Sequence, residues 1–337
     1  MKVKILIIGG TKFIGIHIVA ELLKRGHTVT IFNRGVTNAG LFPTVEKLIG
    51  DREKDLTMLQ GRHWDAVIDT CGYVPRIVQY SAEILEPLTD LYVFVSTISV
   101  YKDFSVKYID ETAELSILKD PTTEEVTGET YGPLKVLCEK AVNDAFPGRS
   151  LIVRPGLIVG PHDPTDRFTY WPVRIAQEGE VLAPGHKDAQ VQFIDARDLA
   201  SFIVSSIEKK VVGTFNVTGP KELLTLENFL LTCKATLNSE AKLTWIDDLF
   251  LEDNEIGFWT ELPLYIPENK GISGMLAVNI DKALQAGLTF IPLANTITDT
   301  LKWDQSRQIT EGERKAGLAL AKEKLVLTKW KENPINK

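Results

Sequence analysis

The sequence predicts an α/β protein: a doubly wound parallel sheet with a smaller C-terminal lobe that faces a substrate. Three observations predict it. Short apolar runs of strand length alternate with helical stretches over the first two thirds of the chain. The first run ends in a glycine turn, Gly9 to Gly15, that opens a helix. After Arg154 the pattern loosens into Gly- and Pro-rich segments carrying Tyr170 and Trp171.

Val3 to Ile8 is continuously apolar, as a strand buried on both faces of a parallel sheet should be. A helix follows from about Phe13 to Arg25, closed by Gly26. Thr28 to Phe32 is β-branched and alternating, completing a strand, glycine turn, helix, strand unit of Rossmann type. Further strands are expected at Val45–Ile49, Asp65–Asp69, Leu91–Val95, Leu151–Val153 and Gly213–Val217. Helices are expected at Arg76–Leu88, from Tyr131, where Pro133 fits only a first turn, and at Phe193–Ser206. The expected division assigns 1–155 plus 191–218 to a dinucleotide and 156–190 plus 219–337 to a substrate lobe.

Composition excludes several classes. With 337 residues, the chain is long enough for a large α/β domain and an appended lobe. A net charge of −7 makes nucleic acid an unlikely partner. Cys71, Cys138 and Cys233 are odd in number and far apart, so neither a disulfide framework nor a metal site is expected, and a cytoplasmic setting fits. No stretch is long and apolar enough for a membrane span, and Gly9-Gly10 and Lys12 interrupt the apolar start before it resembles a leader.

In such a turn the glycines allow a tight bend and close approach of a pyrophosphate to the helix N-terminus. Gly9, Gly10, Thr11, Lys12, Phe13, Ile14 and Gly15 are the expected cradle. Lys12 stands where the middle glycine of G-x-x-G-x-x-G would be; its Cβ would push the phosphates outward and its ammonium would offset that by pairing with one of them. At the end of the second strand Asn33-Arg34 replaces the usual carboxylate, which favours NADP and leaves NAD possible. Asp51 is placed either to meet the adenine amino group or simply to form a turn.

Tyr131 and Lys135 fall at i and i+4 on one helix face. A nearby ammonium favours tyrosinate, so Tyr131 could exchange a proton with a carbinol or carbonyl oxygen during hydride transfer. These pieces resemble an extended or atypical short-chain dehydrogenase/reductase of the NAD-dependent epimerase/dehydratase family. GGTKFIG at 9–15, GD at 50–51, FVSTISVY at 94–101, YGPLK at 131–135, RPGLIVGP at 154–161 and QFIDARDLA at 192–200 occur in family order. The resemblance implies a Thr97, Tyr131, Lys135 catalytic set, with Lys135 on the nicotinamide ribose. It implies that Thr70, Cys71, Gly72 and Pro155 line the cofactor, and that the protein is a homodimer packed through the helix bearing Tyr131. Sugar dehydratases of this family carry Asp-Glu after the catalytic Thr. Here Ile98-Ser99 stands there, leaving redox chemistry or epimerisation.

Ser99, His162, Arg167, Tyr170, Trp171 and Gln192 are the candidate substrate contacts, each weighed against plain packing or turn roles. Two rival readings stand beside a small-molecule enzyme. One is a non-catalytic dinucleotide-sensing regulator. The other is an RNA-binding protein of the chloroplast stem-loop-binding type, which the acidic balance opposes.

Overall fold

The structure is a computed structural model in which residues 2–333 are described. Its centre is a seven-stranded, wholly parallel sheet. Six strands are β1 (Lys4–Ile8), β2 (Thr28–Asn33), β3 (Glu46–Ile49), β4 (Trp64–Asp69), β5 (Thr89–Val95) and β6 (Ser150–Pro155); the seventh is the edge strand Gly213–Val217. Their spatial order, from that edge, is β6, β5, β4, β1, β2, β3. The order reverses between β4 and β1, the kind of switch point where a crevice opens at strand C-termini.

The helices are set by their apolar faces. Helix α1 (Ile14–Lys24) buries Ile14, Ile18, Val19 and Leu22, and packs with the helix Ala196–Glu208 on one side of the sheet. On the other side, α2 (Pro75–Leu85) packs against α3 (Tyr131–Ala145), burying Val78, Ala82, Leu85, Cys138 and Val142. Strand side chains alternate between the faces: Ile5 and Ile7 join the first cluster, Leu6 and Ile8 the second.

A separate apolar core gathers Trp171, Val181, Phe229, Ile246, Leu262 and Leu327. Its strands are short and pair across long stretches of chain, Glu180–Pro184 with Lys242–Ile246 and Gln190–Val191 with Leu224–Thr225.

The helix expected from Phe193 begins at Ala196 instead. Ile194–Asp195 is a two-residue strand beside Ile158–Val159, and the Asp195 carboxylate accepts the Arg197 amide as the helix cap. A capping aspartate needs extended backbone, so the helix cannot begin earlier. Similarly, α2 ends at Leu85, and Glu86–Leu88 tightens into a 3₁₀ turn around Pro87. Among the described residues no helix is long and apolar enough to cross a membrane.

Candidate active-site cleft

A cleft of about 980 Å³ runs over the C-terminal ends of the central strands, of the size that takes a cofactor or drug-sized ligand. The turn after β1 forms part of its wall. Gly9 and Gly10 have φ of 107° and 85°. A Cβ on Gly15 would lie 2.8 Å from the Gly10 Cα, and one on Gly9 would lie 2.3 Å from Thr70 Oγ1. Only glycine fits there, and the absence of side chains leaves the α1 N-terminus, which carries no first-turn acid, beside the cleft.

Lys12 does not take a positive φ; its side chain is exposed at the cleft. The left-handed strain falls one residue later, on Phe13 (φ 38°), which precedes the first turn of α1. The turn is thus built without a middle glycine.

Asn33 braces the turn: its Nδ2 donates to the Gly9 carbonyl at 2.9 Å, and its Oδ1 accepts the Gly35 amide at 2.8 Å. Its side chain is therefore spent on backbone. Arg34 is exposed on the cleft wall with no protein partner among the described residues. Asp51 also lines the cleft, and its carboxylate accepts the Glu53 amide, a turn-forming contact. Arg52 turns inward, donating to both oxygens of fully buried Asp69 at 2.8 Å and to Ser81. Asp69 also accepts from the Tyr92 hydroxyl and the Cys71 amide, so this buried charge pair is satisfied at the end of β4. Sequence reading missed it because its partners are 17 to 29 residues from Arg52 in the chain. Thr70 and Cys71 line the cleft, and burial raises the Cys71 thiol pKa. Gly72 does not reach the lining: it sits against Phe94 and Val78, and its carbonyl is taken by Lys135.

Thr97 lies two residues past β5 and caps the turn Ile98–Val100, accepting the Ser99 amide at 3.1 Å. Helix α3 starts against that turn. A Cβ on Gly132 would sit 2.0 Å from the Ser99 carbonyl oxygen, so glycine there lets Tyr131 approach Thr97. Burial raises the Tyr131 pKa, opposed by a hydrogen bond with Thr97 and by the charge of Arg167. Lys135 is 3% exposed, donates to the Gly72 carbonyl at 2.8 Å and the Val95 carbonyl at 2.7 Å, and lies over the Phe94 ring. Burial lowers its pKa to about 8. Its ammonium faces backbone oxygens, and Arg167 is the cation that acts on Tyr131.

Pro155, Ser99 and Arg167 line the cleft with Thr97, Tyr131 and Lys135. Four expected substrate contacts do not. His162 is exposed and in contact with the His17 and Trp303 rings, at a left-handed turn position with φ 71°. Tyr170 and Trp171 are core residues, the Trp171 indole donating to the Pro263 carbonyl at 2.7 Å. Gln192 clamps Val278 through both its amide nitrogen and carbonyl. Each is consumed by packing or backbone pairing. Conversely, Tyr73, Thr165 and Trp259 line the cleft without having been expected as contacts, and so does Asp163, which the sequence offers beside His162. Only Asp163 and Thr165, four and two residues before Arg167, carried any signal; Trp259 arrives from 92 residues further on.

A glycine turn at the switch point of a parallel sheet, facing a Tyr/Lys helix across one cleft, defines a dinucleotide-binding α/β protein. The chain belongs to the NAD dependent epimerase/dehydratase family, whose model matches residues 5–218. A search of solved structures finds the same fold in UDP-glucuronic acid 4-epimerase from Bacillus cereus in complex with NAD. That match has 17% identity, covers 91% of this chain and 100% of the other, and has a TM-score of 0.63. UDP-N-acetylglucosamine 4-epimerase from Bacillus cereus gives 18%, 90%, 100% and 0.65 respectively. Among curated proteins, the chloroplast stem-loop binding protein of 41 kDa b from Arabidopsis thaliana is 26% identical over 247 residues. The match spans 65% of this chain and 59% of that protein's length.

Proposed function

We propose that the protein is an oxidoreductase or epimerase that oxidises and reduces a carbinol or carbonyl carbon of a sugar-like substrate at Tyr131. One observation carries the reading: Thr97, Tyr131 and Lys135 share a single cleft with the glycine turn. A bound nicotinamide dinucleotide would supply the hydride donor and acceptor. The fit is supported by the Gly9 and Gly15 cradle and by Lys135, whose ammonium has three donors with two on backbone carbonyls. The third is available for a ribose hydroxyl. Tyr131 moves the proton at the substrate oxygen, and the Thr97 hydroxyl polarises that oxygen.

The structural relatives include UDP-sugar 4-epimerases, which makes UDP-sugars the first substrates to try. A preference for NADP over NAD is part of the proposal and rests on unpaired Arg34 at the end of β2. The proposal also takes in the division into 1–155 with 191–218 and 156–190 with 219–337, favoured by the separate second core, and a homodimer through α3. A cytoplasmic setting accords with three free cysteines. The RNA-binding reading has one point in its favour, the likeness to the stem-loop binding protein, and the net charge of −7 weighs against it.

The test is turnover of a UDP-sugar panel followed by NMR of the sugar, with Tyr131→Phe alongside. The variant should lose roughly 10²- to 10⁴-fold in kcat while keeping its dinucleotide affinity. Full activity in Tyr131→Phe would remove Tyr131 from the reaction.

A further inference from the structure

Thr97 and the pair Tyr131 and Lys135 stand on two segments that no sheet pairing joins. The ladder between β5 and β6 ends at Val95 and Val153, and the Ser96 amide adds one bond to the Val153 carbonyl at 2.7 Å. Past that point the chain leaves the sheet, with Thr97 next and the turn Ile98–Val100 after it. Tyr131 and Lys135 are carried by α3. The place of the Thr97 hydroxyl relative to the Tyr131 phenol is therefore set by what fastens residues 95–99 to α3.

Two contacts do so. One is the close approach of Gly132 to the Ser99 carbonyl. The other is made by Glu139, two turns further along the same helix. Ser96 donates its hydroxyl to Glu139 Oε1 at 2.5 Å. The Arg154 fork fixes that carboxylate, Nε donating to Oε1 at 3.0 Å and Nη2 to Oε2 at 2.7 Å. Arg154 is held in turn: its Nη1 donates to the Tyr101 hydroxyl at 3.1 Å, and that hydroxyl donates to Asn216 at 2.6 Å. Ser96, Glu139 and Arg154 are each 4% exposed, so water does not compete for these bonds.

Residues 132 and 139 are about 10 Å apart along a helix axis. The Gly132 contact alone would fix a distance and leave α3 free to pivot. A second contact that far away fixes the angle as well. Between the two lies Lys135, whose ammonium is held by the carbonyl of Val95, the residue before Ser96. Stability does not account for the charged pair behind Ser96. Desolvation of a buried carboxylate and guanidinium offsets most of their attraction, and a well-packed apolar pair often does as well. An apolar pair, however, could not hold a serine hydroxyl in one place.

We propose that Glu139 is a positioning residue of the reaction: through Ser96 it sets the Thr97 hydroxyl and the Lys135 ammonium relative to the Tyr131 phenol. Glu139 lies outside the cleft lining, whereas Ser96 belongs to it with its hydroxyl given to Glu139. The inference rests on the reading of Tyr131 as the reacting group.

The experiment compares wild type with Ser96→Ala, Glu139→Gln and the double variant in turnover of a UDP-sugar, with NAD supplied. Ser96→Ala is the milder change, since it leaves the Glu139–Arg154 pair whole, and it carries the test if Glu139→Gln does not fold. Each single variant should lose roughly tenfold to a hundredfold in kcat, the effect of a misplacement of about 1 Å, with KM and NAD affinity unchanged. The double variant should lose no more than Glu139→Gln alone, because the two side chains act through one bond. A lowered melting temperature with kcat intact, or losses that add in the double variant, would overturn the inference and leave Glu139 a structural residue. A second readout needs no substrate. In protein labelled with carbon-13 at the tyrosine Cζ, the Tyr131 signal, identified by its loss in Tyr131→Phe, should shift in the same direction in both single variants. An unmoved signal overturns the inference. Absence of turnover by wild type contradicts the proposed reaction instead, and the labelled signal then decides the role of Glu139.

Discussion

Lys135 shows how far a side chain's setting can depart from what spacing suggests. An i, i+4 pair on one face would place its ammonium beside Tyr131, yet it reaches down to the carbonyls of Gly72, past the end of β4, and of Val95, the last residue of β5. Burial is what lowers its pKa from 10.5 to about 8. Between those values the unfolded chain binds the extra proton and the folded one does not, so the contribution of Lys135 to stability rises as pH rises from about 8 to 10.5. Wild type should therefore gain stability over Lys135→Met across that window and show a constant difference below it. Urea unfolding at pH 7 and pH 9.5 measures this. A difference that does not change between the two pH values would mean that the ammonium is not buried as described. That the glycine turn, Thr97 and Tyr131 meet at one cleft was legible from motifs lying just past strand ends and at the start of α3. The orientations of His162, Tyr170, Trp171 and Gln192 were not, because a polar or aromatic residue in a loop looks the same whether it faces a ligand or a backbone partner.

At the scale of elements, the cleft depends on α3 lying against the turn after β5. Gly132 permits the contact, and a buried network behind it holds the helix. Glu139 accepts from Arg154 through both oxygens and from Ser96, while Arg154 reaches Tyr101, which donates to Asn216. Gly132→Ala would drive a Cβ into the Ser99 carbonyl, so it should cost about 1–3 kcal/mol by thermal unfolding and lower kcat by displacing Tyr131. An unchanged melting temperature would contradict the packing. A second element carries a pH signature. Asp198, on the helix Ala196–Glu208, accepts the Ile291 amide, and burial followed by the charge of Asp195 raises its pKa to about 7. Its folded pKa exceeds its unfolded value, so its stabilising contribution is complete below about pH 4 and is lost as pH rises through 7. Asp198→Asn should raise stability at pH 8, by about 1–2 kcal/mol, and give little at pH 4, as calorimetric melts would show. The strands of the central sheet were legible as apolar runs with turn residues at their ends. The start of the helix after Phe193 was not, because periodicity does not reveal that Asp195 is its cap.

Over the whole molecule, the central sheet with its helices was far more legible than the rest. Its strands lie in a parallel sheet with helices between them, so each element announces itself locally. The second core is assembled from two-residue and five-residue strands that pair over 30 to 60 residues, with Trp171, Phe229 and Leu327 meeting from distant segments. No local pattern encodes that. The same distance hid Trp259, and with it the platform beneath Arg167. Residues from Ile8 through Leu276 line the one cleft over the strand ends. The central claim is that a nicotinamide dinucleotide binds in it on the glycine turn. The most direct measurement is calorimetric titration of the purified protein and of Gly15→Ala with NAD and NADP. The account predicts one dinucleotide per chain in the wild type and markedly weaker binding in the variant, whose Cβ would press on the Gly10 backbone. Absence of binding by either dinucleotide, or binding indifferent to Gly15→Ala, would contradict it.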